Sequence, residues 1–164
     1  PVVAGDRGFG SWAADGGKHR GFDCFDRDDG KQLWAAVVDF DADDPTHDTN
    51  PYCGSSPAAD GQRVVVWHGS AGLNAYDPKD GTIVWSCDGL GDLAYTSVLA
   101  SDGFGVAMGG YFGPAMGFRL GGKGNTTEIN RLWLTTQPNP QRIGSGVLVG
   151  RHVFMANEPG LAHR

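Results

Sequence analysis

Several things are missing from this sequence, and each absence removes a class of protein. No apolar run reaches the roughly 18 residues that a membrane-spanning helix needs. The opening residues, from Pro1-Val2-Val3-Ala4 onward, carry no basic-plus-apolar leader pattern. Glutamate is nearly absent: 17 of the 19 acids are Asp, and only Glu128 and Glu158 are Glu. Stretches free of Gly and Pro are short, the longest being Lys31–Asp44 and Asn125–Gln137. Neither carries a helical face, which excludes a helical bundle or a coiled coil. Cys24, Cys53 and Cys87 are isolated, with no C-x-x-C pair, so at most one disulfide can form and its partners stay open. The five histidines show neither an H-x-H nor an H-E-x-x-H spacing for metal.

What the chain has in excess is glycine, 27 of 164 residues, with 9 prolines besides. The glycines follow no three-residue period, so collagen is excluded. With 40% hydrophobic and 10% aromatic residues the chain can build a core, which argues against disorder. The Asp-rich acidity suits turns, where a short carboxylate accepts nearby backbone N–H groups. A net charge of −6 also argues against a surface that tracks nucleic-acid phosphates. These features predict a β-rich globular chain.

An internal repeat sets the architecture. Gly21-Phe22-Asp23-Cys24-Phe25-Asp26 aligns with Gly72-Leu73-Asn74-Ala75-Tyr76-Asp77. Four residues beyond Asp26 and Asp77 stand Gly30 and Gly81, and four beyond those stand Trp34 and Trp85. Each copy reads as a strand, an Asp-Gly turn, and a strand that carries a Trp. Upstream, Ala59-Asp60-Gly61, Ser101-Asp102-Gly103 and Val149-Gly150-Arg151 each precede an apolar strand. Trp34, Trp85 and Trp133 are spaced by 51 and 48 residues, the length of a four-stranded propeller blade. In the third unit Trp133 follows Phe118 by 15 residues, against nine from Tyr76 to Trp85, so six residues are inserted and the long turn is expected to project. The reading is all-β: a β-propeller segment of antiparallel four-stranded blades spanning 1–164. Its units run approximately 1–38 (partial), 54–88, 95–135 and 143–164 (partial), or about three and a third blades. Register gives the first unit its last three strands and sets Gly160-Leu161 opposite Gly72-Leu73.

The pattern Asp26–Trp34 and Asp77–Trp85 resembles the repeat of the PQQ-like (quinoprotein-type) β-propellers, and the chain is similar to the large exported repeat proteins of planctomycete-type bacteria. The resemblance implies docking of Gly and Trp between neighbouring blades, with Asp26, Gly30, Trp34, Asp77, Gly81, Trp85 and Trp133 as structural repeat residues. It also implies a ring of eight blades in most members, so the remaining blades become partners of this segment, and a periplasmic or secreted location. Three activities occur among such proteins: quinone-dependent dehydrogenases, a propeller subunit of outer-membrane protein assembly, and exported proteins of other roles. The dehydrogenases carry adjacent cysteines and a calcium site. This sequence has no adjacent cysteines, so no catalytic residue and no cofactor are expected within it, and PQQ or Ca²⁺ would enter only if further blades supplied the site.

Two segments stand out as contact surfaces for a protein or small ligand. One is the Asp39–Tyr52 connection, with His47, Asn50 and Tyr52; the other is Tyr111–Asn125, with Tyr111 and Phe112. Asp39, Asp41 and Asp43 alternate as the first positions of a calcium loop do, but Asp44 replaces the sixth-position Gly and Asn50 the closing Glu, so a solvated loop is the default. Gly117–Lys123 has P-loop spacing without the following Ser or Thr. His68 and His152 fall in or beside strands and suit structural hydrogen bonds, while Trp12 and Tyr111-Phe112 are expected in loops.

Overall fold

The computed structural model describes residues 1–49, 52–88, 90–91, 94–111, 113–136 and 144–156, and the backbone of 162–163. The register placed on Gly160-Leu161 lies outside the described residues. In chain order the strands are β1 (Val2–Ala4), β2 (Arg7–Ala14), β3 (His19–Asp26) and β4 (Gln32–Asp39). Then come β5 (Ala58–Ala59), β6 (Val64–Trp67), β7 (Leu73–Tyr76) and β8 (Ile83–Cys87). Next are β9 (Leu99–Ser101), β10 (Phe104–Met108), β11 (Ala115–Arg119), β12 (Gly124–Asn125), the short helix α1 (Thr127–Asn130) and β13 (Arg131–Thr135). The last are β14 (Val147–Val149), β15 (His152–Ala156) and β16 (Ala162–His163).

They form four successive antiparallel sheets, β1-β2-β3-β4, β5-β6-β7-β8, β9-β10-β11-β13 and β14-β15-β16. The first strands of successive sheets touch one another, β1 to β5, β5 to β9 and β9 to β14, so they line one common axis. The sheets therefore follow one another as propeller blades along an open arc. The first sheet holds four strands rather than the three expected from register, because Val2–Ala4 closes on Arg7–Phe9 through a tight turn at Gly5-Asp6. A three-residue strand leaves no alternation long enough to read in the sequence.

Successive sheets bury their faces against each other. Val64 and Val66 pack toward the first sheet with Phe9, Phe22 and Tyr76, whereas Val65 and Trp67 pack toward the third with Trp85, Met116 and Phe118. A strand buried on both faces must be apolar at every position, which is why β6 reads Val-Val-Val-Trp. In three sheets the aligned tryptophan faces a small residue, Cys24 opposite Trp34, Ala75 opposite Trp85 and Gly117 opposite Trp133, and a register shift follows in each. The bulge recurs because the bulky indole needs a small cross-strand neighbour and the turn then takes up one residue.

The Asp-Gly turns repeat closely. Asp26 Oδ1 accepts the Asp28 amide at 2.8 Å and Asp77 Oδ1 the Lys79 amide at 2.8 Å, and Gly30 and Gly81 adopt φ of 73° and 75°. Only the second turn is filled from outside. The Trp34 indole lies over Gly81, where a Cβ would sit 2.6 Å from the ring, and its Nε1 donates to the Pro78 carbonyl at 3.0 Å. Arg7 Nη1 donates to Pro78 and Lys79 carbonyls at 2.7 and 3.1 Å. A Cβ on Gly30 would meet nothing within 4 Å. Gly30→Ala and Gly81→Ala thus carry the same left-handed backbone cost, and only the second displaces an indole. Gly81→Ala is expected to destabilise the chain by about 1 kcal/mol more than Gly30→Ala, measured as the difference in urea midpoints.

The expectation that the third-unit insert projects is corrected. It folds back along the second sheet, where β12 pairs parallel with β8 at Trp85 and Ser86 and makes that sheet five-stranded. Trp12 is likewise not in a loop: it lies on β2 with its indole stacked over Gly21, where a Cβ would clash.

Candidate functional site at the loop-bearing end

Because strands alternate in direction, the β2–β3, β6–β7 and β10–β11 hairpins and the β4–β5 and β8–β9 connections all emerge at one end of the sheets. The Asp-Gly turns and the insert emerge at the other. Tyr111, in the β10–β11 hairpin, therefore sits at the opposite end from Gly121–Asn125, and the single surface expected over Tyr111–Asn125 divides between two ends.

The Asp39–Tyr52 segment is held from below by a buried cation. Arg20, on β3, is 1% exposed, and its Nη2 meets Asp44 Oδ2 at 2.5 Å, with the Asp44 side chain 8% exposed. Its Nε donates to the Gly17 carbonyl at 2.9 Å and its Nη1 to the His68 carbonyl. Phe40 covers one side of the guanidinium at 4.3 Å, and the Tyr52 ring lies 5.6 Å away. Tyr52 also covers Gly17, where a Cβ would approach its ring to 2.5 Å. Arg20 thus joins the β2–β3 hairpin, the long connection and the next sheet.

Asp39, Asp41 and Asp43 are not drawn together. Asp39 pairs with His19 Nδ1 at 2.9 Å, Asp43 with Lys18 Nζ at 3.2 Å, and Asp41 offers its backbone carbonyl to Lys18. Among the described residues no three His, Cys, Asp or Glu side chains converge as metal ligands would. His47 stays within its own connection, its Nδ1 2.9 Å from the Thr49 hydroxyl. Asn50 and Phe112 lie outside the described residues. Tyr52 and Tyr111 share an uncommon feature, a positive φ on a non-glycine residue, at 25° and 51°. Tyr111 is 41% exposed and meets Tyr95 edge-on at 5.6 Å between ring centres.

Beneath this end His68 is fully buried, its Nε2 2.8 Å from the Tyr76 hydroxyl, which also receives the Asn74 amide at 3.4 Å. Burial, assisted by the charge of Arg20, lowers the His68 pKa to about 4, and burial raises that of Tyr76 to about 12. Burial also raises the thiols of Cys24, Cys53 and Cys87, all of which are free. The Arg20–Asp44 pair escaped sequence reasoning, whereas the structural hydrogen bond expected of His68 is present, with Tyr76 as the partner the sequence did not reveal. The available signal for the first was Arg20 itself, in the same alternating register as Phe22 and Cys24 on a strand with a buried face.

Successive four-stranded sheets, repeated Asp-Gly turns of which the second is filled by a tryptophan, and long connections gathered at one end define a propeller of the quinoprotein-type repeat. A family model described as outer membrane protein assembly factor BamB matches residues 22–103, half of the chain, and the chain belongs to that family of PQQ-like repeats. No curated protein matches it. Among solved structures the chain is similar to BamB from Moraxella catarrhalis, at 16% identity and a TM-score of 0.53, over 93% of this chain and 47% of that one. It therefore spans about half the length of that protein. It is also similar to the computationally designed Ika4 protein, at 12% identity and a TM-score of 0.57, over 89% and 83% of the two chains. At these identities the likeness is one of fold. No helix among the described residues is long and apolar enough to cross a membrane.

Proposed function

We propose that this chain is part of a non-catalytic, exported β-propeller scaffold whose loop-bearing end binds a protein. The supporting observation is the gathering of the Asp39–Tyr52 connection, the β8–β9 connection and the Tyr111 hairpin at one end of rigid sheets, with the first of them anchored on buried Arg20. The family description favours an outer-membrane assembly partner, and with it a periplasmic location. Further blades of the same repeat complete the ring in this reading, and no cofactor is assigned to this segment.

The test is affinity purification of the native protein, with quantitation of a co-purifying outer-membrane barrel assembly subunit. Tyr111→Ala, at an exposed position, is expected to reduce that recovery about tenfold or more while leaving the unfolding transition in place. Recovery unaffected by Tyr111→Ala would place the contact elsewhere. Turnover of alcohols or sugars after addition of PQQ and Ca²⁺ would replace the scaffold reading with a dehydrogenase.

A further inference from the structure

The outer strand of a propeller blade presents a row of unpaired backbone groups, and such an edge is a template for another chain. In the first and third sheets the outer strands β4 and β13 have no further strand beside them among the described residues. In the second sheet the corresponding strand, β8, is covered by the insert of the third. Gly124 and Asn125 run parallel to Trp85 and Ser86, and both the amide and the hydroxyl of Thr126 donate to the Ser86 carbonyl at 2.8 and 2.9 Å. The Asp88 amide donates to the Thr127 hydroxyl at 2.9 Å, and Asn125 Nδ2 reaches the Asp88 carboxylate at 3.3 Å.

The insert is shaped for this position by its own contacts. Asn130 Nδ2 donates to the Gly121 carbonyl at 2.6 Å and the Thr127 amide to Asn125 Oδ1 at 3.0 Å. Gly122 sits at φ 88° with a would-be Cβ 2.9 Å from Thr126 Cγ2, so no other residue closes the loop without displacing Thr126. The covered strand, Ile83-Val84-Trp85-Ser86-Cys87, carries no charge and no proline, the two usual safeguards of an exposed edge. The insert also marks a departure from the indole dock. Trp34 Nε1 has the Pro78 carbonyl of the next sheet's turn, while Trp85 Nε1, equally placed in the repeat, is buried with no acceptor among the described residues. The lengthened turn no longer brings a carbonyl to it, and beside the shared apolar core the polar contacts of the insert with the second sheet lie at the outer edge.

We propose that the insert is an edge guard: it occupies the outer edge of β8, prevents a second copy of this chain from adding a strand there, and ties the second sheet to the third. Replacing residues 120–130 by Pro-Lys-Asp-Gly-Thr, the turn of the second sheet, removes the guard and leaves β4 and β13 as internal controls. Sedimentation of parent and shortened chains over a concentration series is expected to show stronger self-association of the shortened one. Hydrogen exchange should then place the new protection on Ile83–Cys87 and not on β4 or β13. Equal association, or protection gained elsewhere, overturns the proposal. Thr127→Val, which keeps the side-chain shape and removes the acceptor, serves where the shortened chain does not fold. It is expected to speed exchange of the Asp88 amide about fivefold to tenfold with the β4 and β13 amides unchanged, and an unchanged Asp88 rate would refute the guard equally well.

Discussion

Arg20→Met is expected to destabilise the chain by about 3–5 kcal/mol, measured as the loss in urea-unfolding free energy at neutral pH. The magnitude follows from what remains. The Asp44 carboxylate, its side chain 8% exposed, loses the guanidinium 2.5 Å away, while the carbonyls of Gly17 and His68 lose their donors. Burying a charge without a partner costs far more than the pair contributes over an apolar replacement. Arg20→Met combined with Asp44→Leu should therefore recover most of the loss. The single variant is also expected to loosen Phe40 and Tyr52, which pack on the guanidinium, and so to raise proteolytic cleavage within Asp39–Tyr52. A single variant within about 1 kcal/mol of the parent would show that Arg20 and Asp44 are solvated and that the connection is not held from below.

The parts of this molecule that were legible in the sequence are those fixed by neighbours in the chain. An Asp whose carboxylate caps the amide two residues on, and a Gly four residues on at positive φ, leave their mark within ten residues, as at Asp26–Trp34 and Asp77–Trp85. The tryptophans could be placed at the ends of blades for the same reason. Trp12 was misplaced because Gly8 and Gly10 break the apolar alternation of β2, and the residue that makes room for its indole, Gly21, stands on the neighbouring strand. The insert was misjudged because its partners Trp85 and Ser86 lie about 40 residues upstream in another sheet, and a two-residue parallel pairing has no local signature. Arg20 and Asp44 are 24 residues apart, and nothing in the acidic cluster distinguishes the one carboxylate that turns inward from Asp39 and Asp43, which turn to the exposed His19 and Lys18. Local rules describe the blades; the arrangement of their loop-bearing end is set by contacts between blades.

Acid is expected to weaken this fold through His68 in a definite window. In the unfolded chain the imidazole titrates near 6.5, whereas in the native state burial and the neighbouring Arg20 charge lower its pKa to about 4. Above 6.5 both states hold the ring neutral and the stability is intact. Between 6.5 and 4 the unfolded state takes up a proton that the native state refuses, so stability falls with falling pH by about 1.4 kcal/mol per unit, to a total of about 3 kcal/mol. Below 4 both states are protonated and this contribution levels off. Tyr76, which shares a hydrogen bond with His68, is raised to about 12 and does not titrate in the window. His68→Gln retains a neutral polar group beside Tyr76 and removes the titration. Unfolding free energies of parent and variant at a series of pH values isolate the effect, since carboxylates common to both cancel in the difference. The parent's advantage over the variant should shrink by about 3 kcal/mol from pH 7 to pH 4. A difference that stays constant with pH would mean that the ring is solvated in the native state, and the buried contact between the first two sheets would then have to be redrawn.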